Sequence, residues 1–251
     1  MSFDVEFDID PMVKRLDALR AVQVPFATSL AINNAAKRAQ ADLKFEMRRV
    51  FDRPVPFTQN SIYIKYSSKD DLYARIGLKE FQGKGNAAAD YLLPQIQGGP
   101  AYATRFQKSL REFGYLGRNE YARPTQSDFL RVNQYGNVTP GQYTQILYGL
   151  QAFRDSSAFA YRQNAKKKRS PVISAIRTSE AGVYRSRSLF PGIYLESKKA
   201  RENKESALFW FGKTPAFAGK YNFRKVGSES ITKNWDKEFE SALDKAIATA
   251  K

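Results

Sequence analysis

The sequence predicts an α+β fold in which a long N-terminal helix and a C-terminal helix pack on a mostly antiparallel sheet, with large loop and helical insertions. Apolar residues recur at helical spacing over 25–51 and again over 231–250, and short aromatic-rich strand segments lie between them. This order of elements predicts a single α+β domain over residues 1–251. An irregular insertion is expected at 83–135, and a helical, basic insertion at 136–180.

The first residues predict a strand followed by a short helix. Apolar and acidic residues alternate from Phe3 to Asp10, which places one apolar face on a half-buried strand. Asp10 and Pro11 then resemble an N-cap and the first helical residue. Apolar residues between Met12 and Val22 would form the buried side of this short helix.

The long helix is predicted from Pro25 to about Phe51, because apolar residues recur there at intervals of three and four. Pro54 and Pro56 forbid its continuation. Two strands are predicted next, at Ser61–Tyr66 and Leu72–Leu78, joined by a polar turn.

Glycines interrupt residues 83–135, where the pattern supports one helix within Tyr102–Phe113. A threonine and a proline at 139 and 140 predict the start of another helix. The closing helix, Ile231–Ala250, has an apolar residue at every fourth position. The remaining strand predictions are Gly182–Ser186, Gly192–Glu196, Ala207–Phe211 and Lys220–Lys225.

The charge is strongly positive, with 41 Lys and Arg against 25 Asp and Glu and a net charge of +16, and the chain has no histidine or cysteine. Such a charge attracts polyanions, while the commonest general base, nucleophile and transition-metal ligands are missing. We therefore expect no enzymatic activity, cofactor or metal. A hydrolase that acts through Asp, Glu or Lys alone is a weaker alternative, and no arrangement of these residues in the sequence identifies catalytic candidates.

Residues 154–201 hold twelve of the basic side chains and three of the acidic ones. Such a run can be a solvated loop, or it can contact phosphates without fixed geometry. The predicted contacts with DNA or a partner are Arg162, Lys166, Lys167, Lys168, Arg169, Arg185 and Arg187.

Other sequence features give weaker evidence for a specific function. Gly212-Lys213-Thr214 matches only the tail of a phosphate-binding loop, because Ala207 stands where the first glycine is needed and a strand precedes the motif. The aromatic residues fall mostly at predicted core positions, which favours packing over base stacking. No apolar run approaches about 18 residues, and the acidic start is unlike a signal peptide, so a soluble protein made in a cytoplasm is expected.

Several segments in the same order resemble the minor tail protein Z and tail-completion (head–tail joining) proteins of tailed bacteriophages. The resemblance spans nearly the whole chain. It is carried by 31–36, 47–54, Phe57-Thr58, Asn60-Ser61, Tyr135–Asn137, Gly141-Gln142, Gln145–Leu147, Leu189–Tyr194 and Tyr221–Phe223.

The resemblance implies a virion structural protein at the neck or upper tail. Its subunits would form an oligomeric ring around the DNA channel and join the portal-side connector or adaptor proteins to the tail proteins, with packaged double-stranded DNA as a further contact. It implies no catalytic residues, cofactor or membrane partner. A free nucleic-acid-binding protein without sequence preference is the alternative, and assembly state distinguishes the two.

Overall fold

The computed structural model describes residues 10–81, 86–152, 172–176, 190–196 and 207–249. The α+β fold class is confirmed, with helices and antiparallel sheets. The chain divides into two compact units. Unit 1 combines Met1–Phe81 with Lys220–Lys251, and unit 2 is Gln82–Gly219. The predicted strands at Phe3–Ile9 and Gly182–Ser186 lie outside the described residues.

Unit 1 begins with helix α1, Asp10–Val50, which contains Pro25. The predicted break between a short helix and a long one is therefore wrong, whereas the predicted C-terminal end is confirmed. Proline lacks an N–H donor and costs about 3 kcal/mol in the interior of a helix, so Pro25 is locally unfavourable at this position of α1.

The second long helix of unit 1 is α6, Phe223–Ala248, and it packs along α1. Arg38 of α1 forms an ion pair with Glu238, and Ser230 donates a hydrogen bond to Asp42 at 2.5 Å, so the helices run antiparallel. Small residues let two helix backbones approach closely. The buried stripe on α1 has a residue at every fourth position, none more than 2% exposed: Ala27, Ala31, Ala35, Ala39, Leu43 and Met47.

A short helix α2, Pro56–Gln59, leads into an antiparallel hairpin of β1, Ile62–Lys65, and β2, Arg75–Leu78. The two predicted strands are thus confirmed, with shorter bounds. The Asn33 side chain of α1 accepts a hydrogen bond from the Ser67 N–H at 2.8 Å and donates one to its carbonyl at 3.1 Å. This pair of bonds fastens the hairpin to α1.

The predicted strand at Lys220–Lys225 is wrong, because α6 already begins at Phe223. Tyr221 is fully buried, and its hydroxyl donates to the Leu43 carbonyl at 2.9 Å. The aromatic residues that predict a strand here therefore include Tyr221, which precedes α6 and fastens its start to α1. Burial raises the pKa of this phenol.

The strands in the described part of unit 2 are β3 Gly99–Pro100, β4 Glu120–Pro124, β5 Val172–Ile176, β6 Gly192–Glu196, β7 Ala207–Lys213 and β8 Ala216–Phe217. Four of them form an antiparallel sheet of order β4-β7-β6-β5. The two-residue strands β3 and β8 pair with each other in a separate antiparallel ladder.

The helices of unit 2 are α3, Ala88–Gln97, α4, Arg105–Glu112, and α5, Pro140–Gly149. Three predictions are confirmed here: α4 lies within its predicted range, α5 starts at the predicted proline, and β6 has its predicted bounds. The region 83–135, expected to be irregular apart from one helix, also contains α3, β3 and β4. Glycines in and around these elements obscure their short patterns in the sequence.

The core of unit 2 joins α4 and α5 to the sheet. Phe106, Tyr143 and Phe209 pack as a triangle of rings, with centroids 4.8, 5.0 and 5.9 Å apart. Burial raises the pKa of Tyr143 to about 12. At the β6–β7 ladder, Gly192 lies so close to the Phe209 carbonyl that a side chain would collide with it.

Candidate anion-binding cleft

The residues predicted to contact DNA or a partner lie outside the described residues. They are Arg162, Lys166, Lys167, Lys168, Arg169, Arg185 and Arg187. Any basic site among the described residues must therefore consist of other lysine and arginine side chains.

Unit 2 contains an open cleft of about 920 Å³ in which basic side chains outnumber acidic ones. Arg111, Arg118 and Lys213 line it, and Asp90 is the acidic side chain among its lining residues. The three cations come from α4, from the turn before β4 and from the end of β7. We call this site the basic cleft.

Arg118 lies on a turn whose ends are tied together. The Gly117 N–H donates to the Glu120 carboxylate at 2.7 Å, and the Glu120 N–H donates to the Gly117 carbonyl at 3.1 Å. A side chain at position 117 would approach Glu120 Oε2 to 2.9 Å, so glycine allows the close contact. The bonds hold the backbone of the turn, while the Arg118 side chain is exposed.

Lys213 is placed by the last pair of the β4–β7 ladder, where it lies opposite Glu120. The next residue, Thr214, donates to the Asn119 carbonyl through its N–H at 2.9 Å and its hydroxyl at 3.0 Å. The Arg123 guanidinium donates to the Lys213 carbonyl at 2.9 Å. These bonds fix the backbone beneath Lys213 and leave its ammonium exposed.

Arg111 gives the cleft a less accessible charge. Its Nη2 donates to the Glu120 carbonyl at 2.8 Å, and its Nε is buried without a hydrogen-bond partner in the described part of the chain. Because the observed acceptor is a neutral carbonyl, that bond satisfies a donor without neutralising the guanidinium. The Arg111 charge therefore contributes to the potential of the cleft.

Three further side chains lie on or beside the segments that line the cleft. Lys108 donates to the Tyr102 hydroxyl at 2.7 Å, and its ammonium lies 4.6 Å from the centre of that ring. Tyr102 itself lines the cleft. Asp90 lies in the first turn of α3, where a carboxylate is stabilised by the helix dipole.

Unit 1 has a different concavity, an apolar groove of about 380 Å³ between α1, β2 and α6. Ile32, Ile76 and Trp235 are among its lining residues, and Arg224 is the lining residue that carries a charge. The lining of this groove is therefore apolar apart from the Arg224 guanidinium.

Within the described ranges, no three carboxylates cluster in a way that suits a metal ion, and none of the helices there is long and apolar enough to span a bilayer. Comparison of the chain with protein-family models, with curated proteins and with solved structures finds no match.

The basic cleft was not predicted from the sequence. In the sequence, Gly212-Lys213-Thr214 is only an incomplete phosphate-binding loop, and the strand predicted before it is confirmed as part of β7. The motif does not open a helix, yet Lys213 and Thr214 both line the cleft. Arg111 and Arg118 are distant in sequence from Lys213, so only the β4–β7 pairing reveals the cluster.

Proposed function

We propose that the chain is a non-enzymatic structural subunit of a tailed-phage virion, forming an oligomeric ring at the neck or upper tail. The ring joins the head connector to the tail around the DNA channel. The observation that carries this proposal is the collinear resemblance to tail-completion proteins, whose segments run through both units.

Several residues in those segments fasten one element to another, which supports a structural interpretation of the resemblance. Asn33 fastens the hairpin to α1, and Tyr221 anchors the start of α6 on the Leu43 carbonyl. In unit 2, Gln142 accepts from the Arg131 N–H and donates to the Phe129 carbonyl at 2.8 Å. Bonds of this kind suit a subunit that keeps its shape under assembly.

The charge supports a position beside DNA. A net charge of +16 attracts the phosphate backbone without reading base sequence. Basic residues in a channel would hold DNA loosely and in a salt-dependent way. The run at Lys166–Arg169 and the basic cleft are the two candidate contacts.

The second candidate is a free nucleic-acid-binding protein without sequence preference, favoured by the basic cleft. The two functions predict different assembly states. A ring subunit forms an oligomer of fixed stoichiometry, alone or with connector and tail proteins, whereas a free binder is monomeric or dimeric and binds DNA by itself.

Mass spectrometry and antibody labelling of purified phage particles test the proposal. We expect the chain in finished particles, with label at the junction of head and tail. Light scattering of the purified chain, with and without portal and tail proteins, gives the stoichiometry. Absence from particles, together with a DNA-binding monomer, would refute the virion proposal in favour of the second candidate.

A further inference from the structure

We infer that the basic cleft of unit 2 is a phosphate-binding site in which Arg118 and Lys213 bind the phosphate oxygens directly. This inference concerns a site separate from the run at Lys166–Arg169. It holds whether or not the chain is a virion subunit, because it depends only on the geometry of unit 2.

The first argument is convergence. Arg111, Arg118 and Lys213 come from three elements and face one open cleft of about 920 Å³, with Asp90 as the acidic lining residue. Like charges repel, so the cluster is unfavourable unless an anion or solvent screens it. Ion pairs in the described part of unit 2 do not supply that screening to Arg118 or Lys213.

The second argument is preorganisation. Hydrogen bonds fix the backbone at both direct contacts, through the Gly117–Glu120 turn and through Thr214 on Asn119. Only side-chain rotation is then lost when an anion binds, which lowers the entropic cost of binding. The guanidinium of Arg118 can form two parallel bonds to a phosphate, and the Lys213 ammonium adds a point charge.

The third argument concerns the ligand. A phosphate carries several acceptor oxygens, which suits an arginine and a lysine on opposite elements better than a single carboxylate would. The cleft is open, so it admits both inorganic phosphate and a phosphodiester of a nucleic-acid backbone. Those two sources share one chemistry, and the experiment separates them.

The test uses the full chain with Arg118→Gln and Lys213→Gln combined, since glutamine keeps much of the side-chain length and removes the charge. The matched control combines Arg105→Gln with Arg131→Gln, which removes two exposed charges of unit 2 that do not line the cleft. One arm titrates inorganic phosphate by calorimetry. The other measures fluorescence anisotropy of labelled duplex DNA across a salt series.

We expect the cleft variant to weaken binding roughly 100-fold, about tenfold for each charged contact. In the DNA arm the slope of log affinity against log salt should also fall by about two. The control should change affinity by less than about threefold. Asp90→Asn, which removes the opposing charge, should tighten binding.

A loss in both arms identifies phosphate itself as the ligand, and a loss only with DNA identifies the phosphodiester backbone; either supports the inference. It is overturned if the cleft variant binds like the control in both arms, or if the wild-type chain binds neither ligand. Matching thermal unfolding curves confirm that both variants are folded. Because particle association is measured separately, the two proposals can fail independently.

Discussion

Replacing Gly192 with alanine should destabilise unit 2, because the new methyl group has no space. Gly192 pairs with Trp210 across the β6–β7 ladder, and a Cβ at this position would collide with the Phe209 carbonyl oxygen. That oxygen belongs to backbone and cannot rotate away. The Phe211 N–H also donates to the Pro191 carbonyl at 2.9 Å, which resists separation of the strands.

Forced overpacking of this kind costs about 1–3 kcal/mol. Gly212→Ala is the matched control, since Gly212 lies in β7 with no atom within 4 Å of its added Cβ. There only the unfolded state changes, and the variant should gain about 0.4–1 kcal/mol. The two alanine variants should therefore differ by about 1.4–4 kcal/mol in free energy of unfolding.

Urea unfolding followed by tryptophan fluorescence measures this difference. The chain has 2 tryptophans, so the variants are made in a Trp235→Phe background that leaves Trp210 as the reporter. Its ring meets Phe190 and Tyr194 edge-on at 5.7 and 5.9 Å, beside the substituted position. If Gly192→Ala proves as stable as Gly212→Ala, the steric reasoning is refuted.

Three further predictions concern stability. Ala39→Leu should lower the free energy of unfolding by about 1–3 kcal/mol, measured by thermal unfolding, because Ala39 is fully buried in unit 1 and has no space for a larger side chain. An unchanged Tm would contradict close packing there. Arg38→Ala should lower the free energy of unfolding in urea by about 1 kcal/mol, because it leaves the buried Glu238 carboxylate without its ion pair. An unchanged free energy of unfolding would show that solvent replaces Arg38. Burial raises the pKa of both Tyr143 and Tyr194 to about 12, so the neutral phenol is favoured in the folded state. The stability from these phenols should be complete below pH 10 and lost as the pH rises toward 12, and the double Tyr→Phe variant should flatten that loss in alkaline unfolding curves.

Elements with a clear local pattern were predictable from the sequence. The hairpin of unit 1 follows from two short segments of aliphatic and aromatic residues around a polar turn, and β6 follows from its aromatic and aliphatic residues. The end of α1 follows from Pro54 and Pro56, whose rings exclude further helical turns.

Sequence predictions fail where a local signal is ambiguous or where a distant contact determines the structure. Pro25 indicates a helix start, yet α1 begins at Asp10 and runs through it, so a proline does not by itself mark the first turn of a helix. The aromatic residues at 221 and 223 indicate a strand, yet Tyr221 is an anchor whose hydroxyl binds Leu43, far away in sequence. No window of local sequence contains that partner.

The basic cleft was unpredictable for the same reason. Arg118 lies in a glycine-rich stretch without periodicity, and Lys213 lies at the end of a strand, where a lysine is usually a solvated edge residue. Their proximity follows from the pairing of Glu120 with Lys213, which the sequence does not specify.

The division of unit 1 between the two ends of the chain has a consequence for biosynthesis. Tyr221 emerges from the ribosome 178 residues after the Leu43 carbonyl that it binds. At a synthesis rate of about 5–20 residues per second, the alanine-rich side of the first helix therefore remains without its C-terminal partner helix for roughly 9–36 s. During that interval the nascent polypeptide exposes an apolar ridge, which makes it a substrate for chaperones and vulnerable to premature association with neighbouring polysomal chains.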